Sequence, residues 1–162
     1  MKLLAHPLLQ RLLGLALGAV FLYASLDKIA HPGDFARIVY HYQVIGPSQH
    51  IPPLVPNVFA VVLPWIEALV GVLLMAGIWR REAGLVTALL LVAFLAGAGS
   101  ALARGIDVQN CGCFTVGEEG RRAGWLLLLE DAVLLAGAIV LAAVPARPAA
   151  AAARVEAVPA TR

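Results

Sequence analysis

Apolar residues run along this chain in four long blocks separated by short polar stretches. The blocks extend from about Leu8 to Ile29, Val58 to Trp79, Ala83 to Ala103 and Ala123 to Val144. A hydrocarbon core about 30 Å thick needs roughly 20 mostly apolar residues of helix, and each block meets that length. The pattern predicts an all-α membrane protein, a four-transmembrane-helix bundle over residues 1–144. Residues 145–162 are rich in Ala and Pro and have no apolar periodicity, the composition of a disordered tail. Small residues suggest where helices approach closely: Gly14 and Gly18 form a GxxxG, and Ala93, Gly97 and Ala101 make a row on the third span. The first block follows Lys2 as a signal peptide would. It is longer than an h-region of about 7–15 residues, however, and Leu22-Tyr23-Ala24 puts a large residue where cleavage requires a small one. The segment is expected to be retained.

The connections differ in character. Arg80-Arg81-Glu82 makes a tight basic turn between spans two and three. In the first outer loop, Pro32-Gly33-Asp34 reads as a helix start with Asp34 as its cap. Phe35, Ile38, Val39 and Tyr42 then recur at helical spacing, which predicts a short amphipathic helix lying at the membrane interface. The proline-rich stretch from Gly46 to Pro56 carries the chain to span two without regular structure. With four spans, Lys2, Arg11, Arg80, Arg81, Arg147, Arg154 and Arg162 share one side, against Lys28, Arg37, Arg104, Arg121 and Arg122 on the other. This excess of basic residues, seven against five, makes the termini cytoplasmic by the positive-inside rule and turns the loop between spans three and four outward.

Composition agrees with this reading. Of 162 residues, 61% are hydrophobic and 14% charged, whereas soluble domains are roughly half apolar and a quarter charged. The net charge of +2 comes from scattered basic residues, and aromatics are few, so there is neither a basic patch nor a stacking platform for nucleic acid.

The two cysteines of the chain stand together in Cys111-Gly112-Cys113-Phe114, in the outward loop. An oxidising compartment is where disulfide chemistry is expected. A disulfide needs Cα atoms about 4.4–6.8 Å apart, so a Cys-x-Cys bond requires a bend, which Gly112 permits. Such a bond would be strained, and strained exposed disulfides are the labile, more oxidising kind. Incidental cysteines and a metal site are the competing readings. A closed zinc site wants four ligands, and the chain adds only His6, His31, His41 and His50 as imidazoles. Thiol exchange with another protein is the reading the compartment favours.

Charges inside the spans are the second signal. Glu67 lies near the middle of span two, one turn after Pro64, which is expected to kink the helix. A carboxyl there costs about 3 kcal/mol on insertion scales, so it should face the bundle interior and find a partner. It could serve packing or function. Asp27 and Lys28 close span one and would pair nearby or snorkel to the headgroups. Glu130 and Asp131 enter span four too deeply for surface residues; with Lys28 and Arg104 they could form a polar cluster beneath the cysteine loop, where a positive neighbour would favour thiolate. Trp65, Trp79 and Trp125 read as anchors or packing.

Taken in order, these segments resemble the MauE family within the DoxX-like membrane proteins. The resemblance rests on Gly18 to Lys28 followed by His31-Pro32, on Leu63-Pro64-Trp65-Ile66-Glu67 with Gly71, on Cys111-Gly112-Cys113-Phe114, and on the acid Asp131; it spans roughly Leu12 to Val144. One departure is Glu130, where relatives commonly carry a basic residue. The resemblance implies methylamine utilisation: maturation of the disulfide-rich periplasmic small subunit of methylamine dehydrogenase, at a bacterial inner membrane, beside a thioredoxin-like MauD partner. Cys111 and Cys113 would be the exchanging pair, with Glu67, Asp27, Lys28 and Asp131 in support. By fold-level analogy alone, a membrane quinone could take or supply electrons. Two other readings stand beside this one: a DoxX-like subunit of a quinone-linked oxidoreductase, and a non-catalytic scaffold for the thioredoxin-like protein.

Overall fold

The computed structural model describes residues 6–41, 52, 54–106 and 125–143. Five helices account for nearly all of them: α1 (Pro7–Ala30), α2 (Pro32–His41), α3 (Leu54–Ala76), α4 (Arg80–Ala103) and α5 (Trp125–Ala143). Four of these, α1, α3, α4 and α5, are long and apolar enough to cross a membrane. Their outward faces carry Leu, Val and Trp side chains such as Leu69, Leu89, Val133 and Trp125, largely exposed. In water so large an apolar surface would be a liability; against lipid tails it is the expected exterior. The cysteine loop and the Ala/Pro-rich tail lie outside the described residues.

Helix ends follow local chemistry. The α3–α4 turn falls at Gly77–Trp79, three residues ahead of the Arg80-Arg81-Glu82 stretch that its charge singles out, because Gly77 and Trp79 take left-handed φ of 69° and 44° and stop α3 there. Arg80 to Glu82 instead form the first turn of α4. At its other end, α3 starts at Leu54 with Pro56 in its first turn, where a missing N–H has no helical bond to lose. The helical stretch of span two is therefore Leu54–Ala76 and not 58–79. It continues through Pro64, which can donate no bond to the carbonyl of Ala60. Helix α2 begins at Pro32, so Asp34 lies inside its first turn instead of capping it, with an Arg37 Nη1 donor 3.4 Å from its Oδ1.

Packing is strongest within two antiparallel pairs, α1 with α3 and α4 with α5. Gly14 and Gly18 of the GxxxG face Leu74 and Gly71, and the main core joins Leu17, Phe21, Val70, Leu74, Leu91 and Leu141 across all four spans. The α4–α5 pair closes at Gly84 against Ala138 and Ala142, whereas Ala93, the first of the small-residue row on α4, is exposed. Helix α2 turns its apolar face onto α3: Phe35, Ala36 and Ile38 are buried with Ala60, and Val39 and Leu63 pack at the edge. Its third-turn position, Tyr42, is outside the described residues.

Candidate functional site

All five helices converge on one ammonium. Lys28 of α1 donates from Nζ to both carboxylate oxygens of Glu67 on α3, at 2.9 Å to Oε1 and 2.8 Å to Oε2, and each side chain is only 1% exposed. The ring of Phe35 from α2 lies 5.2 Å from Nζ and that of Phe94 from α4 lies 5.0 Å away. Asp131 of α5 is 3% exposed and near enough to Lys28 to feel its charge. Lys28, Glu67, Phe94 and Asp131 border a common cavity of about 20 Å³, room for one water.

Antiparallel geometry explains how a lysine near a helix end meets a glutamate in mid-span. Gly18 packs on Gly71; from that level Lys28 lies about 15 Å along α1 and Glu67 about 6 Å along α3, at 1.5 Å per residue. The Cα atoms are therefore offset by about 9 Å along the bundle. Helical side chains lean toward their own N-terminus. In an antiparallel pair that direction takes Lys28 inward and Glu67 outward, so the two converge. Snorkelling, the usual recourse of a lysine at this depth, is replaced by burial against a carboxylate and two aromatic faces.

A buried ion pair of this kind is held because each charge satisfies the other after both have left water. Two aromatic quadrupoles add to it. Phe94→Leu, which keeps an apolar side chain and removes one ring face, is expected to lower stability by on the order of 1 kcal/mol in detergent unfolding curves. A loss no greater than that of leucine substitutions on the lipid face would show that the ring contact contributes nothing.

The other singled-out residues divide clearly. Lys28, Glu67 and Asp131 come together. Asp27 turns away from them and lies 3.2 Å from Nδ1 of His31 on a more exposed surface. Arg104 is exposed and donates to the backbone carbonyl of Ser100 at 3.0 Å. Glu130, next to Asp131 in sequence, acts on it electrostatically. Trp79 and Trp125 sit at helix ends, whereas Trp65 is 62% exposed in mid-span, on the lipid side of α3. Cys111 and Cys113 fall outside the described residues. Phe35 and Phe94 carry no signal in the sequence that distinguishes them from ordinary core or lipid-facing aromatics. Among the described residues no group of three or more His, Cys, Asp and Glu could hold a metal ion.

The fold and site thus define a multi-pass membrane protein whose four spanning helices enclose an ion pair. The family model described as methylamine utilisation protein MauE matches residues 6–144. The chain belongs to the MauE family. It is 33% identical over 139 residues to the methylamine utilization protein MauE of Paracoccus denitrificans, covering 86% of this chain and 71% of that protein. It is 30% identical over 151 residues to the protein of the same name from Methylorubrum extorquens, covering 93% and 77%. No solved structure matches.

Proposed function

We propose that this protein serves methylamine utilisation as a membrane-held thiol–disulfide exchange protein, acting through Cys111 and Cys113 on the periplasmic face of a bacterial inner membrane. The observation that carries the reading is the pairing of family membership with a chain whose two cysteines are confined to one Cys-Gly-Cys. A thiolate of the pair attacks a client disulfide to form a mixed disulfide; the second cysteine then attacks and releases the client. The chain's dithiol becomes a disulfide and the client's disulfide a dithiol, two electrons and two protons passing to the client. The reverse sequence oxidises the client. A disulfide-rich periplasmic subunit such as that of methylamine dehydrogenase is the client this chemistry suits, and a thioredoxin-like, MauD-like protein is the partner that would exchange with it.

The four-helix bundle would then act as the holder, fixing the exchanging loop at the membrane surface while the buried ion pair fixes the bundle. The cavity beside Lys28 and Glu67, about 20 Å³, has room for one water. The deciding experiment is acid trapping of cells followed by alkylation of free thiols with a bulky membrane-impermeant maleimide. The pair is expected to switch between reduced and oxidised forms, and Cys113→Ser to accumulate a mixed disulfide with a periplasmic protein if Cys111 attacks, or the converse. A pair locked in one state, together with normal client maturation in the double Cys→Ser variant, would replace exchange by the scaffold reading.

A further inference from the structure

The geometry points to a proton-binding site inside the bundle: the Lys28–Glu67 pair, Asp131 and one water held between them share a single dissociable proton beyond those of the ammonium. A lysine ammonium has three N–H donors and a carboxylate only acceptors. Two of the three go to the oxygens of Glu67, which leaves one donor. Asp131 Oδ2 is buried with no hydrogen-bond partner among the described residues, and an unsatisfied buried acceptor is costly. Both groups border the same cavity of about 20 Å³. A cavity of that size with polar groups on two sides accommodates one water, which accepts from Lys28 and donates to Asp131.

Charge then requires a proton. One ammonium and two ionised carboxylates sum to one negative charge inside the bundle. Among the described residues of α2 and α4 the ammonium meets the rings of Phe35 and Phe94, and the other charge acting on Asp131 is that of Glu130, which is also acidic. Asp27 is occupied with His31 on the outer surface of α1. Among the described residues the one positive charge acting on Asp131 is that of Lys28, already paired with Glu67, and an uncompensated charge at membrane depth is strongly disfavoured. One added proton makes the site neutral. Because the carboxylates share one cation and one water, the proton belongs to the group and not to a single residue. The site involves neither Cys111 nor Cys113.

Infrared spectroscopy of the full chain in phosphatidylcholine nanodiscs tests it. Wild-type protein at neutral pH is expected to show the C=O stretch of one protonated carboxyl, shifted in D2O. The charge count makes a further demand: neutralising either carboxylate leaves one cation and one anion, so the band should vanish in Asp131→Asn and also in Glu67→Gln. A wild-type spectrum without the band overturns the proposal, and so does a band that survives in either variant. Should the variants fail to fold, wild-type protein with carbon-13 in its aspartate carboxyls decides. A shift of all or part of the band supports the site, and an unmoved band overturns it.

Discussion

Lys28→Met is expected to be among the most damaging single substitutions in the bundle, costing about 3–5 kcal/mol, the range for removing one partner of a buried pair. It leaves Glu67 and Asp131, both buried, with no cation between them. The reverse change should be milder. Glu67→Gln retains a polar partner for the ammonium and leaves Asp131 close by to balance its charge. The double variant Lys28→Met with Glu67→Leu should recover much of the loss, because replacing a whole buried pair by apolar groups is often neutral or better. Unfolding in mixed micelles with increasing denaturing detergent measures all three. Equal losses for Lys28→Met and Glu67→Gln would mean that Asp131 takes no part in balancing the lysine. A double variant as weak as Lys28→Met alone would mean that the cost comes from shape and not from charge.

Much of this arrangement is legible in the sequence, for reasons that can be given residue by residue. The four spans follow from length and hydropathy because a bilayer imposes one rule on every helix that crosses it. Glu67 announces an inward-facing carboxyl through the cost of placing it anywhere else. The short helix α2 is visible in the spacing of Phe35, Ile38 and Val39, although that spacing cannot say whether the apolar face meets lipid or α3, since both are apolar. The Lys28–Glu67 contact is harder to read. The two residues differ in depth along their helices, and only the opposed lean of side chains in an antiparallel pair closes the offset. The place of Phe94 is not legible at all, because a phenylalanine in a membrane helix is equally at home toward lipid, core or cation. Helix ends near 54 and 77 shifted from the hydropathy boundaries because hydropathy does not register a proline in the first turn or a left-handed glycine.

Gly18→Ala is the second large effect expected, about 3 kcal/mol, at the upper end of what overpacking costs. A Cβ on Gly18 would lie 2.6 Å from the Gly71 carbonyl oxygen and 2.6 Å from Cγ of Met75. Met75 can move its side chain, but a backbone oxygen cannot yield without the whole helix moving. Gly71→Ala meets the mirror problem, with the Gly18 carbonyl oxygen at 2.9 Å and the Leu22 backbone nitrogen at 3.0 Å. Either change must push α1 and α3 apart. Gly99→Ala is the control: its Cβ would meet nothing within 4 Å, so its effect should stay within about 0.5 kcal/mol. The consequence reaches the site, because α1 and α3 are also the helices that carry Lys28 and Glu67. Separating them lengthens bonds of 2.8 and 2.9 Å in a site that has no bulk water to compensate. Gly18→Ala and Glu67→Gln should therefore be non-additive: once the helices are apart, removing the carboxylate costs less than it does in the wild-type bundle. Strict additivity in that double-mutant cycle would mean that the small-residue contact and the ion pair are held independently, and that the close approach at Gly18 and Gly71 serves packing alone.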